Sequence, residues 1–533
     1  MASIPRVPSI PEQERTPLVV ALLEIIQLQQ EQIQALRDEV AHLKGHKPKP
    51  EIKPSRLENI ESHQDPPSGQ RPGSAKKSKT GELQIHETKV LKADNVPEGS
   101  TFKGYQDYTV QGLVWKSHNI LYRRERWLTP QGEFLVAPLP QEVQVLGGHF
   151  DRSLISFVLY QYYQAHVTQP LILEELREIG VDISAGQVNR IITEGHDRFH
   201  AEKDELLRAG LEVSGHIHVD DTLARHQGKN GYCTHIGNEI FAWFQSTQSK
   251  SRINFLELLR AEHQDYVLGL EAIEYMRATP LPQELLGKLS DHEPRIIVDE
   301  TSWKVTLAAM GITDPRHVRI ATEGALLGSV LEHGFNPRLV IVSDDAGQFN
   351  ILLHALCWFH AERTIHKLVG FNDDQRAALK EIRSRIWDYY QELKAYKEAP
   401  SVETQAVLEK RFDEIFTTQT CFATLNQALG RLHKNKAELL LVLDRPDIPL
   451  HNNTSESDIR DYVKKRKISG STRSDLGRQC RDTFASLKKT CRKLKISFWQ
   501  FLNDRLSGQA TIPPLSEIIR VHAQIRPCTA AGP

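Results

Sequence analysis

A short apolar stretch that ends in two acids constrains the fold of this 533-residue chain more than any other feature. Residues 339–343 read Leu-Val-Ile-Val-Ser, and Asp344 and Asp345 follow at once. Three of the four apolar residues are β-branched, and Pro337 precedes the run, which predicts a fully buried strand. In a sheet covered by helices, ligands and metal ions bind mostly at the carboxyl ends of strands. Asp344 is therefore either a site carboxylate or a residue that starts a turn and caps the next helix.

A second predicted strand, 216–219, also leads directly to carboxylates, Asp220 and Asp221. It is followed by two strand-like runs, 231–236 and 239–246, with a hairpin turn at Gly237-Asn238 between them. An amphipathic helix at 252–260 comes next. Strand, hairpin, helix and a further strand is the order of the ribonuclease-H-like fold. In that fold, acids at the ends of the first and fourth strands lie side by side, which would pair Asp220 with Asp344.

Residues 265–338 exceed what this topology needs, and we expect them to be an insertion. Within them, 295–301 is another strand-like run that ends in acids. If its Asp299 were the first carboxylate, two strands would have to fit into about forty residues rich in helix formers. Asp220 is the better candidate, and Asp299 is kept as the alternative.

The third candidate acid follows a helix-start signal. Residues 451–456 read His-Asn-Asn-Thr-Ser-Glu, and Asn, Thr and Ser before an acid mark the beginning of a helix. Glu456 would lie in the first turn, with Arg460 one turn later on the same face. Glu456 is either there for its favourable interaction with the helix dipole or is the third carboxylate of a metal site.

A heptad pattern of apolar residues occupies the N-terminal region. Steps of three and four alternate without error, and Gln29 is the one polar residue of a seam that consists otherwise of Val19, Leu22, Ile26, Ile33, Leu36, Val40 and Leu43. Such a seam favours a parallel two-stranded coiled coil, and we expect residues 19–43 to form a homodimer or a higher oligomer. An amphipathic helix packed on the chain's own body is the alternative.

Composition and turn signals divide the whole chain into segments, among which an alternating pattern at 102–114 and 133–139 predicts strands. The expected segments are a disordered tail (1–17), the coiled coil (18–44), a disordered linker (45–82), a small β-rich module (83–148), a helical helix-turn-helix-like region (149–210), three parts of a catalytic core (211–264, 339–370 and 449–510), two insertions (265–338 and the helical 371–448) and a tail (511–533).

The helix-turn-helix prediction depends on two helical runs around a tight turn. Residues 172–179 and 184–192 flank Gly180, and Ser184 would cap the second helix. This is the outline of a DNA-binding motif whose second helix enters the major groove, although three-helix packing also occurs without DNA. The residues that would contact bases or phosphates are Gln187, Asn189 and Arg190.

A basic run at 460–495 contains thirteen Lys and Arg against three acidic residues, although the net charge of the chain is only −1. Such a run either neutralises DNA phosphates or forms a solvated helical face. The residues that we place nearest to DNA are Arg460, Lys464 and Lys467, with Lys250 and Arg252 as further candidates.

Composition also excludes two classes of protein. No stretch is long and apolar enough to cross a bilayer, and the N-terminus lacks the pattern of a signal peptide. Six cysteines without paired spacing argue against a disulfide framework. We therefore expect a cytoplasmic protein without a membrane partner.

Taken in order, these motifs resemble those of bacterial insertion-sequence transposases of the DDE type, specifically the IS66 group. The resemblance covers most of residues 200–505. The motifs that carry it are Asp220-Asp221-Thr222, Ser343-Asp344, the run Cys-Trp-Phe-His-Ala-Glu-Arg at 357–363, Asn452-Asn453 with Glu456 and Arg460, and Arg-Lys-Ile-Ser-Gly-Ser at 466–471.

The resemblance implies a multidomain α/β protein with a ribonuclease-H-like catalytic core, in which Asp220, Asp344 and Glu456 are both catalytic residues and metal ligands. They would hold two Mg²⁺ (or Mn²⁺) ions per active site, because two divalent ions about 4 Å apart can serve both oxygens of a phosphodiester displacement. Element ends, target DNA and companion transposition proteins are the expected partners.

Cys357, His360 and Arg363 would shape this site, since a lone Cys-x-x-His is a weak zinc signal. Two other functions stay open: a ribonuclease-H-like nuclease that cuts without joining, and a non-enzymatic DNA-binding regulator.

Overall fold

The structure is a computed structural model that describes residues 16–20, 22, 23, 25, 26, 29, 85–91, 100, 105, 106, 108–140, 149–336 and 338–525. Its contacts divide the chain into two units, one of residues 1–28 and 116–533 and the other of residues 29–115. In the second unit, the described residues from 85 to 115 contain no helix or strand.

The strands are β1 (Arg126–Leu128), β2 (Phe134–Val136), β3 (His216–Leu223), β4 (Tyr232–Gly237), β5 (Ala242–Thr247), β6 (Tyr266–Val267), β7 (Ile296–Ile297), β8 (Val340–Ser343) and β9 (Leu353–Leu356). The α-helices that follow position 150 are α1 (Arg152–Leu159), α2 (Gln169–Glu178), α3 (Ala185–Thr193), α4 (Asp197–Val213), α5 (Arg252–Leu259), α6 (Leu270–Ala278), α7 (Gln283–Ser290), α8 (Glu300–Ala309), α9 (Pro315–Glu332), α10 (Trp358–His366), α11 (Asp373–Glu398), α12 (Val402–Phe416), α13 (Ala423–Lys434), α14 (Lys436–Asp444), α15 (Asn453–Ser469), α16 (Asp475–Lys493), α17 (Phe498–Ser507) and α18 (Leu515–Ile525). A π-helical segment, Tyr160–Gln164, follows α1.

A mixed sheet lies at the centre of the protein, with strand order β5-β4-β3-β8-β9. β4 and β5 are antiparallel to their neighbours, whereas β3, β8 and β9 are mutually parallel. The strands expected at 216–219, 231–236, 239–246 and 339–343 are all present, and so is the helix expected at 252–260. The fold is therefore an α/β fold with a mixed central sheet.

The hairpin between β4 and β5 turns at 238–241, where the Asn238 N–H donates to the Phe241 carbonyl at 3.0 Å. The side chain of Asn238 accepts from the Ile240 N–H at 3.0 Å and so holds the turn from inside. The predicted signal Gly237-Asn238 thus marks the first half of a four-residue turn.

Alternation along the strands gives the sheet two apolar faces. Ile217, Val219 and Ile341 enter one hydrophobic core together with residues of α4, α5 and α9. Val340 and Val342 enter a second core, formed mainly by α10–α14. Both faces are covered by helices, which explains why the strand of the opening motif is fully buried.

The predicted insertion at 265–338 contains α6–α9 and a small antiparallel sheet in which β6 pairs with β7. Asp299 follows β7 and caps α8, since its carboxylate accepts the Ser302 N–H at 2.8 Å. This hydrogen bond lowers the pKa of Asp299. Asp299 thus follows a strand outside the central sheet, and Asp220 keeps its place as the first carboxylate.

The β-rich module expected at 83–148 contains only the β1–β2 hairpin among its described residues. The strand expected at 102–114 is absent from the described positions of that range, so this prediction is wrong there. Leu113 and Val114 are exposed, and an alternating pattern forms a stable strand only where its apolar face is buried.

The coiled-coil prediction falls mostly outside the described residues. The described positions between 17 and 29 are helical. Leu22 and Ile26 of the predicted seam are exposed, whereas Leu23, which is not a seam residue, is buried. The rest of the seam from 33 to 43 and the linker expected at 45–82 are not described, and pairing of two chains stays a prediction.

Among the described residues, no helix combines the length and the apolar character needed to cross a membrane.

Candidate active site

Asp220 and Asp344 lie side by side because of the register of β3 and β8. These parallel strands pair His216 with Val340 and His218 with Val342. Two residues further along, the same register sets Asp344 at the level of Asp220 and on the same face of the sheet. Neighbouring strands are about 4.8 Å apart, so the structure brings together two acids that are far apart in the chain.

Local hydrogen bonds orient both carboxylates. The Asp221 N–H donates to Oδ1 of Asp220 at 2.7 Å. The Ala346 N–H donates to Oδ1 of Asp344 at 3.2 Å. Both acids are half-buried, and Asp345 is exposed. Asp344, rather than Asp345, therefore faces the acid of β3.

Crowding of negative charge shows in the electrostatics of Asp220. Burial, with added repulsion from the carboxylates of Asp344, Asp221 and Glu456, raises the pKa of Asp220 to about 7, against the lowering effect of the hydrogen bond from the Asp221 N–H. Carboxylates that repel one another at a partly desolvated place favour a bound cation.

Asp221 points to the other face of the sheet and is tied down there. The Thr234 hydroxyl of β4 donates to its Oδ1 at 2.5 Å, and the Gln348 amide donates to its Oδ2 at 3.0 Å. Burial nevertheless raises the pKa of Asp221. Gln348 thus links the loop after Asp344 to β3, a role that its sequence context did not indicate.

Glu456 lies in the first turn of α15, as predicted, and Asn452 fixes the start of that helix. The Asn452 side chain donates to the Val219 carbonyl at 2.8 Å and faces Nδ1 of His218 at 3.0 Å. The Asn452 N–H donates to Sγ of Cys357 at 3.2 Å, and its carbonyl accepts the Glu456 N–H at 3.2 Å. The start of α15 is therefore held against β3 and against the residue that precedes α10.

The side chain of Glu456 contacts the two polar residues predicted to shape the site. Nε2 of His360 lies 3.4 Å from its Oε1, and Nη2 of Arg363 lies 4.0 Å from the same atom. Cys357 is buried, and its backbone N–H donates to the Ser343 carbonyl at 2.9 Å. Cys357, His360 and Arg363 thus surround the third acid and the strand that carries the second.

A second, buried network holds α15 from the side of β4. Nδ1 of His235 lies 2.7 Å from the Ser455 hydroxyl, and its Nε2 lies 3.1 Å from Asp458. Nζ of Lys493 lies 2.8 Å from the same carboxylate. Although burial works to raise it, His235 and Lys493 hold the pKa of Asp458 well below its usual range. Sequence reasoning missed His235 because its partners Ser455 and Asp458 lie more than two hundred positions away.

The carboxylates fit magnesium or manganese by their chemistry. Asp220 and Asp344 offer hard oxygen ligands from adjacent strands, and the negative charge around Asp220 is not neutralised by any ion pair that involves it among the described residues. Glu456 acts on the same cluster through its charge but has His360 as its nearest cation. Among the described residues, two groups of three His, Asp or Glu residues have ligand atoms within 4.8 Å of one another. Both groups lie outside the carboxylate site, and neither contains Cys357 or His360.

Three of the predicted DNA-contacting residues form an exposed stripe. Arg460, Lys464 and Lys467 all lie on α15 and are exposed. Positions 456, 460, 464 and 467 fall within an arc of about 80° on a helix. The opposite face of α15 is buried. The stripe begins at Glu456 and therefore leads away from the carboxylates.

Four further cations of the basic run are buried, although Arg473, Arg492 and Lys495 are exposed, which corrects the prediction that residues 460–495 as a whole neutralise phosphates. Lys465, Arg481, Lys488 and Lys489 are all buried. Nζ of Lys488 lies 2.9 Å from Asp461. Burial lowers the pKa of Lys465 to about 6, with Arg481 and Lys488 adding to the shift. These side chains hold α15 and α16 together and are not available to DNA.

The remaining predicted contacts divide in the same way. Lys250 is exposed, but the guanidinium of Arg252 donates to the Tyr275 hydroxyl at 2.8 Å and to the Gly347 carbonyl. The guanidinium of Arg252 is therefore engaged inside the protein, where it connects α5 to α6 and to the loop after Asp344.

Ser184 caps α3 as predicted, and the Gln187 side chain completes a capping box with it. Gln187 is thus occupied in the cap, whereas Asn189 and Arg190 are exposed. A short turn joins α2 and α3, and the two helices are in contact. Their use as a DNA-binding helix-turn-helix stays a prediction.

Comparisons with known proteins identify the family of this chain. A family model described as "Transposase IS66 family" matches residues 326–480. An uncharacterized protein of Sinorhizobium fredii, y4jO, is 45% identical over 322 residues, which is 60% of this chain and 100% of the relative. The chain belongs to the IS66 transposase family. The segment of this IS66 family member that the model matches contains Asp344 and Glu456, while Asp220 precedes it. Family membership supports a transposase function, which involves DNA.

Proposed function

We propose that this protein is a DDE-type transposase that cleaves and joins DNA strands of an insertion sequence, with a ribonuclease-H-like core. The observation that carries the proposal is the register of β3 and β8, which sets Asp344 beside Asp220. The strand order β5-β4-β3-β8-β9, in which β4 alone runs antiparallel to the other four strands, supports the fold assignment. Glu456 reaches the same cluster from the first turn of α15.

Asp220, Asp344 and Glu456 would hold two magnesium ions, which when bound would activate an oxygen nucleophile and stabilise a leaving oxygen. The protein's own groups prepare the ligands. Backbone N–H groups orient Asp220 and Asp344, while His360 and Arg363 lie within ion-pair distance of Glu456 and direct its carboxylate.

The proposed reaction has two displacements at one site. In the first, water attacks a phosphorus atom at the element's end, the new P–O bond forms, and the P–O3′ bond breaks to leave a 3′ hydroxyl. In the second, that hydroxyl attacks a phosphorus atom of target DNA and displaces the target's own 3′ oxygen. Each step forms one P–O bond and breaks another: the first hydrolyses a phosphodiester, with water as the co-reactant, and the second exchanges one phosphodiester for another, so joining needs no further co-reactant.

The basic stripe of α15 gives the DNA backbone a path to the carboxylates. From Glu456 to Lys467 the helix rises by about 16 Å, which spans several phosphates of a duplex. Arg460, Lys464 and Lys467 are exposed along this length. We propose that they contact phosphates and that Lys250 adds a further contact. Binding through these residues should weaken as salt concentration rises.

Two accessory elements complete the proposal. Exposed Asn189 and Arg190 on α3 would contact DNA in the manner of a helix-turn-helix. Residues 19–43 would pair two chains, so that two element ends can be held together. Companion transposition proteins remain candidate partners.

The test is a strand-transfer assay with matched acid variants. Duplexes that carry the DNA termini flanking the coding sequence are incubated with the full chain and Mg²⁺, either uncut or with precut 3′ ends. Asp344→Asn is expected to lower both cleavage and joining by more than about a hundredfold, because several kcal/mol of charge stabilisation are lost. Asp345→Asn changes the neighbouring exposed carboxylate and is expected to keep activity within about threefold.

The same assay separates the other two functions. Cleavage by the wild type without joining of precut ends would indicate a nuclease. DNA binding without cleavage, unchanged by Asp344→Asn, would indicate a regulator. Full joining by Asp344→Asn would refute the assignment of the site.

A further inference from the structure

Three metal-binding side chains converge at the amino-terminal end of β3, outside the carboxylate site. His216 and His218 are two residues apart on the strand and therefore lie on the same face of the sheet. Glu239 lies in the turn between β4 and β5. Nε2 of His216 lies 3.3 Å from one carboxylate oxygen of Glu239, and Nε2 of His218 lies 3.6 Å from the other. One ligand atom from each of the three residues lies within 4.8 Å of the other two.

Both of these imidazole nitrogens are buried and have no hydrogen-bond partner. They meet Glu239 at ion-pair distance but without the geometry of a hydrogen bond. His218 is only 1% exposed, so no solvent replaces the missing partner. A buried polar atom that lacks a partner costs about 1–3 kcal/mol, which makes two such atoms at one place a sign of an additional ligand.

Asn452 sets the tautomer of His218. Its amide nitrogen donates to the Val219 carbonyl at 2.8 Å, so its amide oxygen faces Nδ1 of His218 at 3.0 Å. Nδ1 must then carry the hydrogen, which leaves the lone pair on Nε2, the atom that points to Glu239. This is the usual arrangement behind a metal-bound histidine, in which a second residue fixes the tautomer.

We propose that His216, His218 and Glu239 bind a transition-metal ion of the zinc class. A tetrahedral zinc ion with bonds of about 2.05 Å places its ligand atoms about 3.3 Å apart. Nε2 of His216 lies 3.3 Å from one oxygen of Glu239, and one ligand atom from each of the three residues lies within 4.8 Å of the other two, so a small shift of the side chains would complete this geometry. Two imidazoles and one carboxylate suit zinc rather than magnesium, which prefers an all-oxygen environment. The Glu239 side chain is half-exposed, so solvent can supply the fourth ligand.

This ion would be distinct from the ions of the carboxylate site but connected to it. His216 and Asp220 are four residues apart on one strand, which corresponds to about 13 Å. His218 nevertheless contacts Asn452, and the Asn452 carbonyl accepts the Glu456 N–H. The bound metal would therefore clamp β3, the β4–β5 turn and the start of α15, and His218 would act as a positioning residue for Glu456.

The experiment measures metal binding directly and needs no transposase activity. The full chain is stripped with EDTA, desalted and titrated with Zn²⁺ by calorimetry, and Co²⁺ is used as a spectroscopic probe of tetrahedral coordination. The wild type is expected to bind one Zn²⁺ that Asp344→Asn also binds. Glu239→Gln and His216→Asn are expected to lower zinc affinity by more than about a hundredfold. Both positions are partly exposed, so the fold should survive, and circular dichroism checks it.

Asp265→Asn is the matched control. Asp265 lies with His263 and His333 in the other three-residue group, where both carboxylate oxygens already lie 2.9 Å from Nε2 of His333. This variant should bind zinc as the wild type does. Zinc should also raise the thermal midpoint of the wild type and of Asp265→Asn but not of Glu239→Gln.

Three results would overturn the proposal. They are equal zinc affinity of Glu239→Gln and the wild type, loss of the zinc in Asp344→Asn, which would place the ion on the carboxylate site, and loss of the zinc in Asp265→Asn, which would place it at the other group. None of these results depends on whether the protein joins DNA.

Discussion

Replacing the first carboxylate should make the metal-free protein more stable. Asp220 is half-buried beside other acids, and its pKa is raised from 3.8 to about 7, first by burial and then by Asp344. Asp220→Asn removes the charge and keeps an oxygen that can accept the Asp221 N–H. Asp220→Asn, which would abolish catalysis under the proposed function, is therefore expected to unfold at a higher urea concentration than the wild type.

The size of the effect follows from the two pKa values. A carboxyl with a pKa near 3.8 when unfolded and about 7 when folded destabilises the folded state by about 4 kcal/mol once the pH exceeds 7. The penalty shrinks as the pH falls through this interval, to about 1–2 kcal/mol at pH 5, and vanishes below about pH 4, where both states are protonated. The new amide NH2 is a donor that lacks an acceptor, at a cost of about 1 kcal/mol, so we expect a net gain of about 3 kcal/mol at pH 8.

The assay is urea unfolding in EDTA at pH 8 and at pH 5, followed by tryptophan fluorescence. Mg²⁺ should then stabilise the wild type and leave Asp220→Asn unchanged, because only the wild type has the full ligand set. Asp299→Asn is the control: Asp299 is a partly exposed helix cap whose pKa is lowered, so its replacement should give no gain. The reasoning is refuted if Asp220→Asn is folded but no more stable than the wild type at pH 8.

Three further substitutions test the scaffold and the DNA surface. Asn452→Ala should lower the free energy of unfolding by about 2–5 kcal/mol in urea titrations, because two buried polar groups lose their partner, whereas exposed Asn453→Ala should be neutral. Lys467→Ala should reduce the slope of log K against log salt for DNA binding by about 1 without changing stability. Lys488→Met should leave the salt dependence of DNA binding unchanged but lower the free energy of unfolding by about 3–5 kcal/mol in thermal unfolding, because it leaves Asp461 without its closest lysine. Unaltered stability would contradict the structural role of Lys488.

Much of the central sheet could be predicted because its signals are local. Runs of β-branched residues that end in acids need no knowledge of distant contacts, and 340–343 was found in this way. Strand order then followed from a topology in which the acids of β3 and β8 are neighbours. Asp299 was a plausible alternative because a short strand followed by a helix-capping acid has the same sequence pattern as a strand that ends in a site carboxylate.

The outcome for the basic run could not be predicted from the residues alone. Whether a lysine faces solvent or a buried acid depends on which helix packs against which, and this is a property of the tertiary fold. Lys488 pairs with Asp461, and Lys493 pairs with Asp458, so charge density along the sequence did not translate into charge on the surface. The His218–Asn452 contact joins positions 234 residues apart and had no local signal.

That long-range contact has a consequence for the timing of activity during synthesis. Asp220 and Asp344 can take their places as soon as β3 and β8 pair, but Glu456 is held only after Asn452 has docked on β3 and the helices of 371–448 have packed in between. Contacts of such sequence separation form late, because the intervening chain must be ordered first. A nascent chain would therefore present two acids and an incomplete basic surface, so that cutting of DNA begins only when the last part of the core has folded.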